Sequence, residues 1–302
     1  MSNALESKIV LVTRPTRLDE LVGRFNTVQQ ARFYVEHLGA DFSDTLAEHS
    51  RYHEAVGEAE TVLRGFGRVQ RLERRYLSNF IFAAEDKVVV LGQDGLVANT
   101  MKYLGGQRVI GVNPDPARWD GVLLPFTLKD LPKVMAEVAK RKAKTVTMAE
   151  ARLNTGPSLL AVNDFFIGQR SHVSARYKIA VGGHEERQSS SGIIVSTGFG
   201  STGWMKSIYA GLRAATARDF DATLPWDTQR LHYFVREPFP SRTTQVGIVI
   251  GMIEAGTSLR VTSEMPENGT VFSDGIEADF LEFNSGTTVT IGTAEKQGLL
   301  VV

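Results

Sequence analysis

The sequence predicts an α/β + β protein, with an N-terminal Rossmann-like α/β domain followed by a C-terminal β-sandwich-like domain. Three observations carry this reading. Strand and helix patterns alternate over residues 1–144. Short strands separated by turn residues dominate from residue 145. Between residues 88 and 96 the chain reads Val88-Val89-Val90-Leu91-Gly92-Gln93-Asp94-Gly95-Leu96, an apolar strand run that stops at a glycine and enters a helical pattern through an aspartate. Alternating strands and helices imply a parallel sheet covered on both faces. Closely spaced strands with turn signals between them imply an antiparallel sandwich.

The elements follow in order. Residues 8–13 (KIVLVT) form a strand. Leu46, Ala55, Val56, Ala59, Val62, Leu63 and Phe66 recur at helical spacing, and Gly65 and Gly67 close that helix. Residues 88–91 and 108–112 are further short strands, separated by a helix through Leu96, Val97, Met101 and Leu104. A basic helix over 131–144 connects to the second half and reads as a solvated face. Strands are then expected at 145–153, 159–168, 175–182, 192–197, 245–251, 258–263, 269–283 and 287–292, with one helix over 203–217. Residues 219–242 carry three prolines with Trp226 and Tyr233, and read as an irregular loop packed on the surface or on a second subunit. The expected domains are therefore 1–144 and 145–285, with 286–302 a C-terminal segment returning to the first.

Composition narrows the function. Formal charge is zero, with 34 basic and 34 acidic residues and no concentrated basic patch, so no nucleic-acid partner is expected. With no cysteine, disulfides, thiol nucleophiles and cysteine-based zinc sites are excluded. The first residues are short and polar and show no targeting segment, and no apolar run approaches the length of a membrane helix. A soluble, cytoplasmic protein with no membrane partner is expected.

The turn at 92–95 is the first candidate site. Glycines let a backbone approach phosphate closely, and a helix N-terminus offers free N–H donors to it. Ligands of open α/β sheets bind at the carboxyl ends of the strands, where this turn falls. An ordinary βα turn has the same local pattern. Gly198-Phe199-Gly200-Ser201-Thr202-Gly203 matches the dinucleotide fingerprint, with Asp219 or Asp221 at the distance of a ribose-binding acid. It falls in the β-rich half, which argues against a dehydrogenase, but its backbone N–H groups and hydroxyls can still face a ligand. Asn163-Asp164 is a polar pair inside an apolar run and must find partners, face a ligand or mark a bulge. His49 and His53 share one helical face, but no third ligand lies near them in sequence and the glutamate of H-E-x-x-H is absent, so no metal site is expected. No Walker-type phosphate loop and no G-x-S-x-G elbow is present.

An acidic glycine turn (Gly92-Gln93-Asp94-Gly95-Leu96), an Asn-acid pair (Asn163-Asp164) and a Gly-Ser-Thr loop opening a helix (Thr197 to Trp204), in that order, resemble the NAD kinase family. The usual forms there are GGDGT, NE/ND and TPTGSTAY. The segment Gly111-Val112-Asn113-Pro114-Asp115-Pro116, with Gly121 and Pro125, together with Ser190-Ser191-Gly192 and Trp204, is similar to the mitochondrial-type branch. The resemblance implies transfer of the γ-phosphoryl of ATP to the 2′-hydroxyl of the adenosine ribose of NAD, with Mg²⁺, in a homodimer. It implies that Asp94 is the general base or metal-facing carboxylate, that Gly92, Gln93 and Gly95 meet the phosphates, and that Asn163, Asp164, Thr197, Gly200, Ser201, Thr202 and Trp204 line the NAD site. Three positions depart from the pattern: Gln93 replaces a glycine, and Leu96 and Phe199 replace threonines. They leave open a relative that binds a dinucleotide without phosphorylating it, or a kinase of another small alcohol or lipid.

Overall fold

The apolar runs of the first half fold into a parallel sheet. The computed structural model describes residues 8–217 and 223–302. It divides into two compact units, residues up to Lys144 together with Leu299–Val302, and Thr145–Gly298. The expected segment 286–302 is thus split between them at Gly298.

In the first unit, β1 (Lys8–Thr13), β2 (Arg68–Glu73), β3 (Lys87–Leu91) and β4 (Arg108–Asn113) lie parallel in the order β2-β1-β3-β4. The short β5 (Phe126–Thr127) pairs with the end of β4, and Leu299 and Leu300 pair with its start, both in parallel. Residues Ile9 to Val12 and Val88 to Leu91 are fully buried on both faces, as a doubly covered sheet requires. One face packs on α3 (Phe42–Arg64) through Tyr52, Ala55, Val56, Ala59 and Leu63, and on α5 (Leu131–Glu137) through Leu131, Val134 and Met135. Leu46, counted in the helical periodicity, is exposed instead.

Two helices that the periodicity does not announce, α1 (Arg17–Phe25) and α2 (Val28–His37), pack on the start of α3 through Leu18, Ala31, Val35 and Phe42. β2 was also hidden, because it is an edge strand with one buried residue, Leu72. The helix after Asp94 is α4 (Asp94–Met101). The expected basic helix is shorter than its charge run, since α5 ends at Glu137 and a strand begins at Ala143.

In the second unit, one layer joins β6 (Ala143–Leu153), β7 (Ser158–Ala161), β9 (Ala175–Val181), β10 (His184–Ser190), β14 (Leu259–Ser263) and β17 (Thr288–Val301). The other is antiparallel, in the order β13-β12-β11-β8-β15-β16, with β8 at Asp164–Gln169, β11 at Ile193–Ser196, β12 at Leu231–Val235, β13 at Ile250–Ile253, β15 at Gly269–Ser273 and β16 at Ile276–Glu282. Their inner faces share one core that includes Phe165, Tyr177 and Phe283. The helix α6 (Trp204–Thr216) covers the outer face of the second layer through Met205 and Tyr209 against Phe166 and Ile194.

Several expected strands are subdivided. The run 159–168 breaks at Asn163 into β7 and β8, and 269–283 is a hairpin that turns at Asp274-Gly275, both with positive φ. The loop 219–242 contains β12, with Tyr233 buried in the core, while Trp226 packs edge-on against Phe199. These two aromatics are therefore spent within their own unit. The strand expected at 245–251 lies further on, as β13. β10 is polar in sequence and escapes any hydrophobic reading; its buried Gln188 donates to the Ile248 carbonyl at 2.8 Å. Among the described residues no helix is long and apolar enough to cross a membrane.

The fully buried Leu91 ends β3 immediately before the acidic turn. Leu91→Ala is expected to cost the first unit about 2–5 kcal/mol, because the sheet, covered on both faces, relaxes only partly into the void. A lowered denaturant midpoint would register this.

Candidate functional site

In the first unit, β1 connects through α1–α3 to β2 on one side, and β3 lies on the other. The carboxyl ends of β1 and β3 therefore flank the point where the strand order reverses, the usual ligand crevice of an open sheet. Tyr52 of α3 pins these two ends together. Its hydroxyl donates to the Leu91 carbonyl at 2.8 Å and accepts from the Arg14 N–H at 3.0 Å. Burial pushes the Tyr52 phenol up to about 12, so it remains a donor at neutral pH.

Asp94 is the first residue of α4 and is half-buried. Its carboxylate accepts the backbone N–H of Leu123 at 2.6 Å and of Val122 at 3.2 Å. The loop supplying these donors is built for the purpose. Gly111 lets it press on β4, since a Cβ there would sit 2.0 Å from the Leu123 carbonyl oxygen. Asn113 donates to the Trp119 carbonyl at 2.9 Å and accepts the Asp115 N–H at 3.0 Å. Gly121 turns the chain at φ +65°, where a Cβ would lie 2.6 Å from Asn113 Nδ2. Each Asp94 oxygen thus takes one backbone donor and keeps a second acceptor direction.

Gly92 is buried and Gly95 exposed at this turn. Gln93 is half-buried and caps the helix without a side-chain bond. Leu96, in place of a hydroxyl residue, turns inward and is buried; its Cδ2 lies 3.0 Å from where a Gly92 Cβ would be. Arg14, which no sequence motif marks, borders the same glycine, with its Cδ 3.9 Å from that position. It pairs with Glu48 at 2.7 Å, while its buried Nε has no hydrogen-bond partner.

In the second unit, Asn163 and Asp164 are held by Asp274, also unremarked in the sequence. The Asp274 carboxylate accepts the backbone N–H groups of Asn163 at 2.7 Å, Val162 at 3.1 Å and Asp164 at 3.3 Å. The signal for it was the Asp-Gly turn pair inside an apparent strand. Burial, with the Asp274 charge beside it, pushes the Asp164 carboxyl up to about 7.

Thr197 ties the Gly-Ser-Thr loop to this pair. Its N–H donates to the Asn163 carbonyl at 2.9 Å, and its hydroxyl donates to the Val162 carbonyl and accepts from the Gly200 N–H. Gly200 is required here, since a Cβ would meet the Asn163 carbonyl at 2.0 Å. Ser201 is buried and braces the loop, donating to the Gly198 carbonyl and accepting from the Leu224 N–H. Thr202 is exposed. Trp204 lies elsewhere, stacked parallel to Phe166 with ring centres 6.3 Å apart, on a cavity of about 550 Å³ that Arg170, Arg236, Phe272 and Glu277 also line. Asp219 and Asp221 lie outside the described residues.

The histidine pair does have a third group near it. Asp19, thirty residues before His49 in the chain, brings its carboxylate to both rings.

No protein-family model and no curated protein matches this chain. Among solved structures it is similar to an NAD kinase from Archaeoglobus fulgidus in complex with ATP, at 17% identity and TM-score 0.58, covering 98% of this chain and 93% of that one. It is also similar to yeast NADH kinase complexed with NADH, at 16% identity and TM-score 0.60, covering 98% and 83%. The chain therefore has the fold of these kinases, an α/β domain followed by a β-sandwich.

Asp164 carries a pH prediction. Its folded pKa lies above the ordinary carboxyl value, so it stabilises the fold at acid pH, and that contribution is lost as pH rises through about 7. Denaturation midpoints measured from pH 4 to 8 should show a decline in the wild type that is flattened in Asp164→Asn.

Proposed function

We propose that the protein is an NAD kinase, transferring the γ-phosphoryl of ATP to the 2′-hydroxyl of the adenosine ribose of NAD to give NADP. The observation that carries this is Asp94, a half-buried carboxylate at a helix N-terminus beside the sheet's switch point, held by two backbone donors with acceptor directions to spare. The fold shared with two kinases, one in complex with ATP and one with NADH, supports the same pair of substrates.

In this reading Asp94 accepts the proton of the 2′-hydroxyl as its oxygen bonds to the γ-phosphorus, and the bond to the bridging oxygen breaks to release ADP. Phosphoryl transfer asks for positioning and charge neutralisation above all. Gly92 and Gly95 keep the turn open to the phosphates, the N–H groups of the first turn of α4 face them, and Gln93 offers an amide. The unpartnered Arg14 Nε places a cation beside the same turn. Asn163 and Asp164 hold the ribose of NAD. Thr197 and Gly200 shape the adjoining loop, Ser201 braces it, Thr202 presents a hydroxyl to the dinucleotide, and Trp204 offers a ring face from the separate cavity beside Phe166. A single carboxylate with spare lone pairs fits Mg²⁺, which takes one or two protein carboxylates and completes its shell with phosphate oxygens and water. That ion would supply neutralisation of the phosphate charge. A cytoplasmic homodimer belongs to the same reading.

The test is NADP formation from NAD, ATP and Mg²⁺. Wild type should turn over, and Asp94→Asn should lose roughly 10²–10⁴-fold in kcat while still binding NAD. A wild type that binds NAD saturably without forming NADP would overturn the transfer and leave a dinucleotide-binding protein, with Gln93 the obstruction.

A further inference from the structure

Beside β1 and β2, at their carboxyl ends, the first unit has a second cavity, of about 510 Å³. Its wall includes Asp19 and His53, with Arg14, Arg71, Glu20 and Glu73 around them. Asp19 is the third residue of α1, where it closes a capping box with Thr16. That cap fixes the carboxylate against the neighbouring helix. His49 and His53, one turn apart on α3, present their rings to it with centres 4.3 Å apart.

We propose that Asp19, His49 and His53 bind a divalent transition-metal ion of the zinc or cobalt class, with its remaining coordination positions open to this cavity. The ligand atoms lie close enough to converge on one such ion. His53 Nε2 lies 3.3 Å from one Asp19 oxygen, and His49 Nδ1 lies 3.6 Å from the other. With metal–ligand bonds of about 2.0–2.1 Å, adjacent ligand atoms of a tetrahedral site stand roughly 3.3–3.4 Å apart. All three ligand atoms lie within 4.8 Å of one another. The donor set is imidazole, imidazole and carboxylate, which suits zinc and its neighbours in the first transition row over magnesium or calcium.

The surrounding groups complete the site. Thr16 hydrogen-bonds both to Asp19, through its N–H and hydroxyl at 2.8 Å, and to His49 Nδ1 at 2.8 Å. It thereby fixes the Asp19 carboxylate and the His49 ring in one place, and an ion bound through His49 Nδ1 takes the position the Thr16 hydroxyl holds on that nitrogen. His53 is exposed and His49 and Asp19 are half-buried, so an ion can enter from solvent. Three protein ligands leave at least one position for water or an anion.

The experiment is a titration of the tag-free, chelator-treated protein with Co²⁺ and then Zn²⁺, followed by visible absorption of the cobalt form. A single saturable equivalent with tetrahedral-type absorption, displaced by Zn²⁺, is expected. His53→Ala and His49→Gln should each weaken binding about 10-fold or more, while His184→Ala, on an exposed strand of the second unit, should leave it unchanged. Circular dichroism checks that the variants fold, and the exposed His53 makes its variant the decisive one. Absence of saturable uptake, or uptake that His53→Ala does not change, would overturn the site.

Discussion

The grip of two backbone N–H groups on the Asp94 carboxylate is the contact around which the first unit is arranged. A carboxylate at a helix N-terminus is favoured by the helix dipole, but its direction is free unless something else holds it. Here the loop from Asn113 to Leu123 holds it, and that loop works only because Gly111 and Gly121 permit backbone approaches that any side chain would block. The strand β4, its glycine, the asparagine that folds the loop and the loop's own donors all converge on one aspartate. Tyr52 performs the complementary task from α3, joining the ends of β1 and β3.

The second unit repeats the device with different parts. Asp274 sits in a hairpin turn and gathers three consecutive backbone N–H groups, which interrupts the strand at Asn163 and turns β8 out of line with β7. Backbone donors around a buried carboxylate stabilise its charged form. Asp164, more deeply buried and beside that carboxylate, holds a proton to about neutral pH. One carboxylate thus organises the backbone, and the other titrates in the physiological range. Thr197 and Gly200 then build the Gly-Ser-Thr loop directly on the Asn163 carbonyl.

The three departures from the familiar acidic turn and loop take different forms. Leu96 is absorbed as packing, filling space beneath Gly92 with a buried side chain. Phe199 is absorbed as well, in contact with Trp226. Gln93 is not, since its side chain caps nothing and stays half-buried at the turn. Of the three, it alone is half-buried and not buried.

By itself the sequence determined the strands that are continuously apolar and the turns that carry glycine. β1, β3, β4 and the helix after Asp94 follow directly from runs such as KIVLVT and VVVLGQDG, because buried parallel strands leave no polar residue to confuse the pattern. The order of the acidic turn, the Asn-acid pair and the Gly-Ser-Thr loop was legible for the same local reason. The polar strands β2 and β10 were not legible, because an edge position and a hydrogen-bonded buried Gln188 remove the apolar signal. Only the tertiary structure decided which partners the site residues receive. Val122 and Leu123 reach Asp94 across 28 and 29 residues, and Asp274 reaches Asn163 across 111. Asp19 meets His53 across 34. Such contacts depend on where loops return at the ends of strands, and no local periodicity encodes that return.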